Sequence, residues 1–195
     1  YHGNLIRSFF SEPEKLIQVV DTLNQEAEEE LYGICLDTGN CNLCGQNMQE
    51  MLLALDGRVK AVIIKENDGQ TDQALLPFSS VSGGASRMDW LGLIRGLRAI
   101  GFDGELVFDF RDSLSAVTHL LKQDVLDYAK KLTDFLAWQI SLEKILKKYE
   151  KRGLFGAGNM CRNYMKCYGD TFLPMFTCDN NADLWGTTFE VLEVK

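Results

Sequence analysis

The sequence lacks several features that would place it quickly. It has no basic stripe: 20 Lys and Arg stand against 28 Asp and Glu, a formal charge of −8. Nucleic-acid binders concentrate cations on one face, so no nucleic-acid partner is expected. No apolar run approaches the ~20 residues of a membrane span, and no signal peptide is present, so no membrane partner is expected either. Two histidines are too few for a multi-histidine zinc cluster. There are six cysteines, but Cys41-Asn-Leu-Cys44 is a lone C-x-x-C without a second pair or a nearby His. They read as small apolar fillers, with Cys35 in a buried strand. Reduced thiols in an α/β chain fit a cytoplasmic location.

What is present is a repeated α/β grammar. Tyr32 to Leu36 reads as a buried strand that stops on Asp37 before a Thr-Gly turn. Val59 to Glu66 and Glu105 to Asp109 repeat the plan, each after a helical segment and each ending in acids. Acids at the carboxyl ends of parallel strands occupy the usual place of site residues, and three on one face would make a cation or polyol site. Helix signals lie between the strands. Ser11 reads as an N-cap with Pro13 in the first turn, and Gln46 to Leu55 is amphipathic. Asp89 caps a helix whose buried stripe is Trp90, Leu93, Ile94 and Leu97. Asn67-Asp-Gly69 is a turn without the ligand spacing of a calcium loop. Residues 79–86 read equally as a site cover or a plain loop, His2 as an ordinary loop residue, and Arg111 with Asp112 as a rim pair.

Here a resemblance enters. Cys35-Leu-Asp-Thr-Gly-Asn-x-Asn-Leu43 resembles the Asp-Thr-Gly-His strand end of the xylose-isomerase-like TIM barrels, the sugar phosphate isomerase/epimerase superfamily. Glu66-Asn-Asp-Gly-x-Thr-Asp72, Leu75-Leu-Pro77, Met88-Asp-Trp90 and Phe102-Asp-Gly-x-Leu-Val107 follow in the family's order. The resemblance covers roughly residues 1–110. It implies a divalent metal held at strand ends, with Asp37, Asp72 and Asp109 as ligands and Asp109 and Glu66 as the catalytic acid–base pair. The sequence departs from the family at the imidazoles: Asn40, Ile63 and Ala74 stand at three histidine positions. An all-oxygen remainder favours Mn or Mg over Zn.

A complete (β/α)8 barrel needs about 250 residues, more than the 195 here. Residues 1–115 are therefore expected to be the last strands and helices of a barrel. Its open edges call for a missing segment or a partner, and a homo-oligomer is one such arrangement. Residues 116–151 read as a closing helix with a broad apolar face (Leu126, Ala129, Thr133, Leu136, Ile140, Phe135, Trp138, Leu142, Ile145). In residues 152–195 the grammar restarts as the truncated first βαβ of a Rossmann-like unit. A strand precedes the glycine turn Gly153-Leu-Phe-Gly-Ala-Gly158, and a second strand, Leu173 to Cys178, ends at Asp179. Gly156 and Gly158 would allow close approach of a phosphate, and Asp179 lies near the spacing of a ribose-binding acid. Cys161 replaces the third glycine of that fingerprint.

Two functions are expected from this reading. One is a sugar isomerase or epimerase acting on a small carbohydrate through a metal-stabilised enediolate. The other is a carbohydrate- or nucleotide-sugar-binding barrel that has lost its metal. Ile63, apolar at a ligand position, is the best support for the second.

Overall fold

The computed structural model describes residues 12–79 and 88–195. The chain divides into two compact units, Tyr1–Ile140 and Ser141–Lys195. Both are mixed α/β.

In the first unit the order is α1 (Pro13–Ala27), β1 (Ile34–Asp37), α2 (Thr38–Leu43), α3 (Met48–Leu55), β2 (Val59–Ile64), α4 (Trp90–Ala99), β3 (Glu105–Phe108) and α5 (Arg111–Ser115). The long α6 (Lys122–Leu146) begins in this unit and runs past its boundary. The three strands are parallel and lie in sequence order, β1-β2-β3. Register explains how the sheet sorts its side chains. Leu36, Val62 and Leu106 form one row and turn toward the helices, packed with Leu52, Leu55, Leu93 and Leu97. Side chains alternate across a strand, so the rows Cys35–Ala61–Glu105 and Asp37–Ile63–Val107 fall on the other face. That face is largely open among the described residues: Cys35, Glu105 and Val107 are exposed. Cys35 is thus in a strand, as expected, but not buried.

Strand and helix ends differ from the sequence reading for local reasons. β1 begins at Ile34 because Asn24 satisfies the preceding backbone: its Oδ1 accepts from Leu31 N and Tyr32 N, and its Nδ2 donates to Tyr32 O. α1 begins at Pro13 with Glu12 as an N-cap whose side chain caps no helix N–H and pairs instead with Lys15 (2.8 Å); Ser11 and His2 lie outside the described residues, as does most of the 79–86 loop. Asn47 caps α3, and Asp89 caps α4 through Gly92 N as expected. Arg111 and Asp112 do not pair. Arg111 takes Asp109 (2.9 Å), while Asp112 accepts from Ala74 N (2.7 Å). The expected helix over 116–151 is α6 preceded by a short 3-10 turn. Its buried stripe is narrower than read: Ala129, Leu132, Leu136 and Ile140 are buried, whereas Leu126, Phe135, Trp138 and Ile145 are exposed.

The second unit holds β4 (Gly153–Phe155), α7 (Asn159–Tyr168), β5 (Phe176–Cys178) and a short antiparallel pair, β6 (Thr188–Phe189) with β7 (Leu192–Glu193). β4 and β5 are parallel, so the expected β-α-β connection is present. Among the described residues no helix is long and apolar enough to cross a membrane.

Candidate functional site

Two tripeptides interlock at the carboxyl ends of the adjacent strands β1 and β2. They are Asp37-Thr-Gly39 and Lys65-Glu-Asn67. The Thr38 hydroxyl donates to Lys65 O (2.8 Å) and accepts from Lys65 N (3.0 Å), both buried. Asn67 Nδ2 donates to Gly39 O (2.9 Å), and Asn67 Oδ1 accepts from Asn42 Nδ2 (2.9 Å) and Gly69 N (3.0 Å). Asn67 and Thr38 are fully buried, so leaving their bonds unmade would cost more than the bonds stabilise. Gly39 leaves the room needed. A Cβ there would lie 2.7 Å from Lys65 Cγ and 2.9 Å from Asn67 Nδ2.

This dock buries the Lys65 stem and aims its ammonium at two acids. Nζ lies 2.8 Å from Asp72 Oδ1 and 3.2 Å from Asp37 Oδ2, with the lysine side chain only 5% exposed. Asp37 also caps α2, its Oδ1 accepting from Asn40 N (3.0 Å). Burial alone pulls the Lys65 ammonium down. The hydrogen bond to Asp72 and the charge of Asp37 outweigh it, and the pKa ends above the ordinary 10.5. Lys65 in turn holds Asp72 below the ordinary 3.8. The lysine is a fixed cation at neutral pH.

The acids singled out in the sequence thus separate into three environments. Asp37 and Asp72 converge on Lys65. Asp109 follows β3, its N–H bonding Ile64 O (3.0 Å), and its carboxylate pairs with Arg111. Glu66, one residue out of phase with Lys65, is 1% exposed; its backbone pairs with Leu75 and its Oε2 accepts from Ser79 N (3.0 Å). It is a buried anchor of the 66–79 loop. Ile63 is in the same row as Asp37, and Ala74 is buried. Among the described residues no three His, Cys, Asp or Glu side chains converge as a metal site requires. The donor set does not fit a divalent metal: the two acids that meet already share an ammonium. Lys65, the residue at the centre, carried one signal in the sequence. It is an apolar strand's last alternate position, two residues after Ile63.

A cavity of about 430 Å³ lies beside β1, between α1 and the α2–α3 segment. Among the described residues Asp37 is the one charged residue on its wall, with Tyr32, Asn40 and Gln46 among mainly apolar neighbours. Cys41 sits there too, and burial, with the Asp37 charge, pushes its thiol up to about 12. A thiolate-based role for Cys41 and Cys44 is unsupported at neutral pH.

In the second unit Gly156 has φ +103°, a conformation that favours glycine, and open space surrounds both Gly156 and Gly158. Asp179 closes on the same turn. Its Oδ2 accepts from Ala157 N (2.7 Å) and its Oδ1 from Asn181 N (2.8 Å), and these bonds lower its pKa.

No family model matches the chain, and no curated protein matches it. A solved structure described as a D-tagatose 3-epimerase-like protein is similar at 19% identity and a TM-score of 0.39, over 64% of this chain and 42% of that one. This chain therefore spans less than half the length of the protein it is compared with.

Proposed function

We propose that the first unit is an arc of a sugar isomerase/epimerase-like barrel whose strand ends bind the hydroxyl groups of a small carbohydrate without a metal. The observation that carries this reading is the Lys65 ammonium clamped by Asp37 and Asp72 at the carboxyl ends of parallel strands. Parallel strands in sequence order, with helices on one face and an open second face, are what a segment of a barrel supplies. Carboxylates accept from adjacent hydroxyls, and an ammonium with a third N–H can donate to another oxygen. The metal-dependent enediolate route gains no support from this donor set, so binding is favoured over isomerisation. Titration of the full chain with a panel of aldoses, ketoses and polyols, followed by saturation-transfer NMR, tests it. Saturable binding that Asp37→Asn weakens about tenfold or more, as one lost charged hydrogen bond would give, is expected. A panel without a single binder would sink the reading.

Nucleotide binding at the glycine turn of the second unit is a separate proposal. It rests on the open backbone at Gly156 and Gly158 and on the parallel β4–β5 pair. The Asp179 carboxylate already accepts the Ala157 N–H, which favours a ribose hydroxyl over a phosphate at that point. Titration with adenosine and with ATP separates the two: equal affinity is expected, and binding of neither ends the proposal.

A further inference from the structure

We propose that the Lys65 ammonium is the resident cation of the strand-end cluster, standing in the place where Asp37 and Asp72 would otherwise hold a divalent ion. Three observations converge on this. First, Nζ lies 2.8 and 3.2 Å from the two carboxylates, and a divalent ion bridging them would need about 2.0–2.6 Å to each oxygen. The ion and the ammonium claim the same space.

Second, the lysine is built in. Its side chain is 5% exposed, its backbone N–H and C=O are both held by the Thr38 hydroxyl, and its stem crosses the Cβ-free face of Gly39. A surface lysine could swing aside for a metal; this one has its backbone pinned and its stem packed against Gly39. Third, most of the negative charge is already offset. Asp109 is paired with Arg111, so the three acids at this end of the sheet face two side-chain cations, of which Lys65 is the buried one. Ile63, in the row with Asp37, adds no donor.

The inference does not depend on the carbohydrate reading: a chain that binds no sugar can still carry a resident ammonium. It has a direct consequence. Removing the ammonium while keeping the acids should create a metal site where none exists. The test is Mn²⁺ titration of the full chain, with free Mn²⁺ read by electron paramagnetic resonance, for wild type, Asp37→Asn, Lys65→Ala, Lys65→Met and the Asp37→Asn/Lys65→Ala double variant. Wild type should bind no Mn²⁺ at stoichiometric level. Lys65→Ala should gain one site, tighter than any wild-type binding by on the order of tenfold or more, and the double variant should lose it. Lys65→Met keeps the stem packed over Gly39 and serves if the alanine variant fails to fold. One Mn²⁺ bound by wild type and lost in Asp37→Asn alone overturns the proposal. So does a folded Lys65 variant that gains no Mn²⁺. If neither Lys65 variant folds, the wild-type and Asp37→Asn titrations decide.

Discussion

Lys65 crosses Gly39 so closely that a single methyl group on that glycine would collide with the lysine stem. The Asp-Thr-Gly strand end is therefore one half of a lock: Asp37 takes the ammonium, Thr38 takes the backbone, and Gly39 clears the path. Gly39→Ala should displace Lys65 and Asn67 and destabilise the chain by about 1–3 kcal/mol, the usual range for an overpacked buried position. Urea denaturation at neutral pH measures it, and an unchanged midpoint would mean the dock gives way without cost.

Thr38→Val keeps the shape and deletes the hydroxyl. It leaves the Lys65 N–H and C=O without their Thr38 partner in a buried setting, a loss of about 1–3 kcal/mol. Thr38→Ser retains the hydroxyl and should recover most of it. Equal losses in both variants would point to the missing methyl rather than the hydrogen bonds.

The Lys65–Asp72 pair makes stability depend on pH at both ends. Asp72 has a folded pKa below the ordinary 3.8, so its contribution is complete above that value and is lost as pH falls through the folded pKa. Lys65 has a folded pKa above 10.5, so its contribution is present below that value and is lost as pH rises through the folded pKa. Asp72→Asn should flatten the acid limb and start the alkaline loss at lower pH. Denaturation midpoints from pH 3 to 11, a range set about those two values, would show it. Parallel curves for wild type and variant would contradict the pairing.

Thiol labelling should divide the cysteines by place. Cys35 and Cys167 are exposed and should react first. Cys41, buried and with its thiol raised to about 12, should react only as fast as the protein opens. Rapid labelling of Cys41 in the native state would contradict its burial.

Gly96 lets α4 approach α3 closely: a Cβ there would lie 2.7 Å from Leu52 Cδ1. Gly96→Ala gains helix propensity of about 1 kcal/mol but overpacks a fully buried leucine, a cost of about 1–3 kcal/mol. A net loss of stability is expected by urea denaturation; a gain would mean that the helices can separate freely.

The sequence by itself determined the α/β alternation, the three strands with polar ends, the Asp89 cap and the stripe Trp90, Leu93, Ile94 and Leu97, all of it buried. These follow from short-range pattern: a period of two or of 3.6, a cap before an apolar run, a turn after it. It also placed Asp37 and Asp109 at strand ends, and the resemblance added Asp72 in the loop after β2, but their partners were left undetermined. Only the tertiary structure decided those. Parity put Lys65 in phase with Ile63 and sent Glu66 into the buried loop, and register fixed which strand ends face each other. The missing Cβ at Gly39 then let a lysine 26 positions further along the chain reach between two acids. A charge pair of that kind depends on distance across the sheet, which spacing along the chain does not encode.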